Sequence, residues 1–113
     1  MASPRHLSPE ALELVAGTFR VLAEPVRLRL LQELRSSETS VNNLALRLGT
    51  TQPNTSKHLR LLQEAGLVTR RQDKNLVFYA ISDAKVFELC EVVCERMQDR
   101  LLAQAGKLRR RSR

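Results

Sequence analysis

The stretch "SVNNLALRLGTTQPNTSKHLRLLQEAGLV", residues 40–68, decides the fold. Its first part predicts a short helix that starts at the hydroxyl cap Ser40 and closes at Gly49. Thr50 and Thr51 then lead into a second helix. Pro53 suits the first turn of that helix and Gly66 suits its left-handed C-terminal cap. Leu59, Leu62 and Ala65 recur three apart and give it an inward face. Two helices joined by a tight turn, the second opening on small polar residues, make a helix-turn-helix pattern.

The segments on either side extend this pattern. Residues 67–72 and 76–82 are β-prone runs that flank the turn formers Asp73, Lys74 and Asn75. Val77, Tyr79 and Ile81 alternate, so one face of the second run is expected to pack. A basic hairpin placed directly after the second helix has the form of a wing. Ser82 and Asp83 then cap a long last helix expected to reach about Gly106. Upstream, Ser8-Pro9-Glu10 is a helix start: a hydroxyl cap, a first-turn proline and an acid near the positive end of the dipole. Leu12, Val15, Phe19 and Leu22 follow at helical spacing. Glu24-Pro25 ends that helix and opens another, with Val26, Leu30, Leu31 and Leu34 as its stripe and Arg27, Arg29 and Glu33 off it. The expected fold is therefore mainly α with a small β-hairpin wing, an α+β winged helix-turn-helix. A flexible N-terminus spans residues 1–7, the domain spans 8–105, and a basic disordered tail spans 106–113.

A chain of 113 residues holds one small domain, whose limited core makes dimerisation a natural supplement. Only 4% of residues are aromatic against 42% hydrophobic, which fits a helical core of Leu, Val and Ala. No apolar run is long enough to span a membrane, and "MASPRHLSPE" lacks the apolar centre of a secretory signal. Two cysteines without framework spacing point to a reducing cytosol. The net charge is +7, and the tail "KLRRRSR" holds five positive charges with no acid, leaving +2 for the rest. That tail reads either as a solvated end or as an arm on phosphates. The case for DNA therefore has to come from the body of the domain.

The second helix of the pair opens with Thr51, Gln52, Asn54, Thr55, Ser56, Lys57 and His58, short or polar donors and acceptors. The start of a recognition helix is the part that reaches base edges in the major groove. Gln52 and Asn54 carry amides that can pair bidentately with adenine. Ser56, Lys57 and the helix N-terminus suit phosphate, and Arg60, one turn on, suits the backbone. Arg70, Arg71 and Lys74 in the hairpin are expected at the flanking minor groove or its phosphates. His58 follows Lys57 on the polar side and is expected to contact DNA, the alternative being packing against the preceding helix. His6 gets no role.

The run "SVNNLALRLGTTQPNTSKHLRLLQEAGLVTRRQDKNLVFYAIS" resembles the winged helix-turn-helix core of the ArsR/SmtB family of bacterial transcriptional repressors. "QPNTSKHLRLLQEAGLV" and a wing ending in "YAIS" are its most specific parts, and "FRVLAEPVRLRLLQEL" is similar to the family's second-helix region. The likeness covers residues 12–100. It implies a homodimer joined through the first and last helices, acting on double-stranded DNA in the bacterial cytoplasm at the nucleoid. It further implies an imperfect inverted repeat as operator and release by an inducer that changes the pose of the two reading heads. Ser56 and His58 match positions that commonly touch DNA in that family.

Many members of the family sense metals or metalloids, so their site patterns can be laid on this chain. One pattern places two cysteines at the helix before the recognition helix, where "SSETSVNNLA" has none. A second needs Asp and His at the start of the last helix, with His and an acid near its end. Asp83 and Asp99 fit the acids, but Lys85 and Arg96 stand where the histidines belong, and cations do not ligate zinc. A third pairs cysteines on the second and last helices, and residues 25–37 contain none.

What remains is Cys90 and Cys94, one helical turn apart on the stripe Phe87, Cys90, Cys94, Met97 and Leu101. They read either as small apolar residues at a helix–helix seam or as half of an intersubunit site. In the second case, sulfurs gathered from two subunits would take a thiophilic ion: Zn(II) or Cd(II) with four, As(III) with three. A reversible intersubunit disulfide is the third reading. The sequence contains no glycine-rich phosphate loop, no carboxylate pair in a plausible cleft and no third group beside either cysteine, so no enzyme is expected. The rival readings are a sequence-indifferent DNA-organising protein and a winged helix used for protein contacts.

Overall fold

A computed structural model describes residues 6–111, with side chains to residue 106. The chain forms two compact units, one running to Ser82 and the other beginning at Asp83. The first holds α1 (Pro9–Leu22), α2 (Pro25–Leu34), β1 (Thr39–Ser40), α3 (Val41–Leu48), α4 (Gln52–Glu64), β2 (Val68–Asp73) and β3 (Leu76–Ile81). The second is α5 (Lys85–Arg111).

Local chemistry sets the helix starts. Ser8, Glu24, Ser40 and Thr51 each accept a backbone N–H of the first turn through a side-chain oxygen, which satisfies donors the helix itself leaves unpaired. The α3–α4 turn depends on Gly49, whose φ of 67° lies in the left-handed region, and its N–H donates back to Leu46. Gly66 plays the same part after α4 at φ 78°.

The core of the first unit lies where α2, α3 and α4 meet the sheet. Leu30, Leu31 and Leu34 of α2, Leu44 and Ala45 of α3, and Leu59 and Leu62 of α4 are buried there with Tyr79 of β3. The sheet order is β1-β3-β2, antiparallel throughout, with Thr39 opposite Tyr79 and Asp73 opposite Leu76. The hairpin closes through Lys74 and Asn75, with Lys74 at a φ of 56°. Strand β1 is too short for alternation to reveal, yet pairing buries Thr39 and Ser40 and anchors the start of α3.

Besides one observation on α1, two expectations need correction. On α1 only Leu22 is buried, while Leu12, Val15 and Phe19 of the same stripe are exposed. Arg27, expected off the α2 stripe, is half-buried and donates through Nε to the Val21 carbonyl at 2.6 Å. The last helix does not stop near Gly106: its backbone continues to Arg111, because "KLRRR" contains no helix breaker. The side chains of the basic tail lie outside the described residues. Within the second unit, Asp83 caps α5 by accepting the Lys85 N–H at 2.9 Å.

Candidate nucleic-acid interface

Helix α4 presents two faces with different tasks. Thr55, Leu59 and Leu62 are buried, whereas Gln52, Ser56, Arg60 and Gln63 recur every three or four residues along a neighbouring stripe. That stripe forms one wall of an open cleft of about 260 Å³. Val41 and Asn42 of α3 and Arg70, Asn75, Val77 and Tyr79 of the hairpin form the rest. No lining residue is acidic. A groove with amides, a hydroxyl and two guanidinium groups but no carboxylate suits a polyanion.

Residues predicted from sequence fall into three groups. Gln52, Ser56, Arg60 and Arg70 meet in the cleft. Thr51, Asn54, Lys57 and Lys74 are exposed outside it. Thr51 caps α4 through Oγ1, and Asn54 donates through Nδ2 to Thr50 Oγ1 at 3.0 Å, so both also shape the turn.

The third group is engaged within the protein. Thr55 cannot reach DNA: it is 0% exposed and its Oγ1 donates to the Thr51 carbonyl at 2.8 Å. Its position four residues after the cap Thr51 turns it inward with Leu59 and Leu62. His58 is half-buried and packs toward α2. Arg27 Nη1 lies 3.2 Å from His58 Nδ1. An arginine can only donate, so Nδ1 is the acceptor in this contact. Glu24 Oε2 stands 3.8 Å away, and the set ties α4 to the α1–α2 junction. Arg71 points away from the cleft because neighbouring strand residues face opposite ways. It forms a two-pronged pair with Glu38, Nη2 to Oε1 at 2.7 Å and Nε to Oε2 at 3.0 Å, and lies 4.8 Å over Phe78. This contact holds the Glu38 carboxyl below its ordinary pKa and raises that of Arg71.

Sequence reading missed Asn42, Gln63 and Asn75 as cleft residues. For Gln63 the signal was present, since it continues the Gln52, Ser56, Arg60 spacing. Asn42 reaches the cleft only through the packing of α3 on α4.

The helix-turn-helix domain family matches residues 22–71. The HTH-type transcriptional regulator KmtR of Mycobacterium tuberculosis is 36% identical over 88 residues, 78% of this chain and 68% of that protein. A homodimeric winged helix-turn-helix DNA-binding domain of Mycobacterium bovis, described as a possible ArsR-family regulator, superposes with a TM-score of 0.72. It is 30% identical and covers 84% of this chain and 91% of its own. The chain belongs to the ArsR/SmtB family. A further relative, the probable mercury resistance operon repressor of Streptomyces lividans, is 36% identical over 74 residues, 66% of this chain and 59% of that protein. As an ArsR/SmtB protein this chain is a DNA-binding transcriptional regulator, with α3 and α4 as its helix-turn-helix and the β2–β3 hairpin as its wing.

Proposed function

We propose that the protein is a homodimeric repressor of the bacterial cytoplasm that binds an inverted-repeat operator and is released by an inducer. Its role is binding and not catalysis. The cleft carries this reading: one stripe of α4, Gln52, Ser56, Arg60 and Gln63, lines it beside Arg70 with no acid among them. A recognition helix so furnished reads bases with its amides and holds phosphates with its guanidinium groups. A second copy of the chain covers the exposed apolar residues of α1 and α5 and brings two reading heads to half-sites about one helical turn apart. Among the described residues no helix is long and apolar enough to cross a membrane.

For the inducer, a soft metal or metalloid ion at Cys90 and Cys94 is the favoured reading. The kinship with a mercury resistance repressor supports it, as does the free state of both thiols, Cys90 half-buried and Cys94 exposed. Burial, and secondarily the neighbouring Cys94, push the Cys90 thiol up, so the ion must displace protons to bind. No group of three or more His, Cys, Asp or Glu able to hold a metal exists among the described residues of one chain. The ion therefore needs sulfurs from two copies.

One series of footprints tests both parts. The wild type is expected to protect a single palindrome, and uniform protection of any duplex would refute a repressor. As(III), Cd(II) or Zn(II) is expected to release the wild type but not Cys90→Ser/Cys94→Ser. An equal response of both proteins would remove the cysteines from sensing, and release by an oxidant alone would favour the disulfide.

A further inference from the structure

We propose that Asn42 is a positioning residue for base recognition, holding the Gln52 amide so that its adenine-complementary edge faces the DNA. This rests on the reading of α4 as the helix that enters the groove. Asn42 is the second residue of α3 and Gln52 the first of α4, so the two helices of the motif each contribute one amide. Gln52 Nε2 donates to Asn42 Oδ1, and both residues line the cleft beside the wing.

The consequence follows from counting donors. A glutamine amide has two N–H groups and one carbonyl. With one N–H on Asn42, Gln52 retains one donor and one acceptor. Adenine offers the complement in the major groove, an N6 donor beside an N7 acceptor, whereas guanine offers two acceptors. An unheld glutamine turns about three side-chain bonds and can exchange its oxygen for its nitrogen by rotation of the last. Held by Asn42 it presents a single pattern.

The backbone that carries Asn42 is fixed. The Asn43 N–H donates to Ser40 Oγ at 3.2 Å, fixing the first turn of α3. Ser40 is buried and pairs with Phe78 across the sheet. The helical turn that carries Asn42 is thus anchored at Ser40 to the central strand, the kind of rigid support that a recognition group requires.

The test uses the whole protein. Its preferred duplex is selected from a random pool, and competition binding then measures affinity for each base substitution along one half-site. The wild type is expected to prefer adenine at one position by roughly fivefold or more. Asn42→Ala, and Asn42→Ser, whose side chain is too short to reach the amide, are expected to flatten that position and leave the others unchanged. Asn42→Asp keeps an acceptor in place: it is expected to retain the preference while weakening all duplexes alike through repulsion of phosphate. Gln52→Ala separates the two layers of the proposal. If it leaves every preference intact, Gln52 reads no base and the underlying placement fails. If it flattens the position while Asn42→Ala and Asn42→Ser do not, or if Asn42→Asp also flattens it, the positioning role is overturned.

Discussion

Arg70 and Arg71 are neighbours with opposite duties. Arg70 lines the cleft, whereas Arg71 is held by Glu38 and Phe78 on the other face of the hairpin. Sequence alone gives both the same role, because charge is visible there and the partner, 33 residues away, is not. The pair also has a pH signature. The folded-state pKa of Glu38 is depressed, chiefly by the hydrogen bonds from Arg71. Its contribution is complete above the ordinary carboxylate pKa and is lost as pH falls through the lowered value. Between about pH 5 and pH 3 the thermal midpoint of the wild type is therefore expected to fall more steeply than that of Glu38→Gln. Parallel midpoint curves would show that the pair does not couple to folding. Because both groups are solvent-exposed, the difference is expected to be small and to shrink with added salt.

The helix-turn-helix stands on devices that act within a few residues, which is why they are legible in the sequence. Ser40, Gly49, Thr51, Pro53 and Gly66 all perform the local tasks their types suggest. Gly49 is the critical one, since the angle between α3 and α4 turns on it. No heavy atom lies within 4 Å of the place a Cβ would occupy, so the cost of Gly49→Ala comes from its φ of 67° alone. That cost is about 1–2 kcal/mol, read as a drop of several degrees in thermal midpoint, with near-normal DNA affinity below it. An unchanged midpoint would show that the turn relaxes away from the left-handed conformation. Strand β1 is the element that escaped: two residues carry no period, and only the pairing of Thr39 and Ser40 with β3 defines them.

At the scale of the molecule, unfinished burial dominates. Phe19 of α1 is 52% exposed and Leu101 of α5 is 59% exposed, together with Leu12, Val15, Val93 and Met97. A small chain gains from covering such residues with a second copy. Phe19→Glu is expected to shift the dimer toward monomer in sedimentation equilibrium while the helical circular dichroism of the winged unit persists. A dimer as tight as the wild type would exclude α1 from the interface. The sequence by itself determined the order of the helices and the hairpin, the helix caps and the polar opening of α4, because these depend on bonds between residues close in the chain. Tertiary structure alone decided that His58 meets Arg27, that Arg71 is tied to Glu38, and that Asn42 reaches Gln52. Each of these rests on which face of one element meets another, and spacing along a single element cannot reveal that.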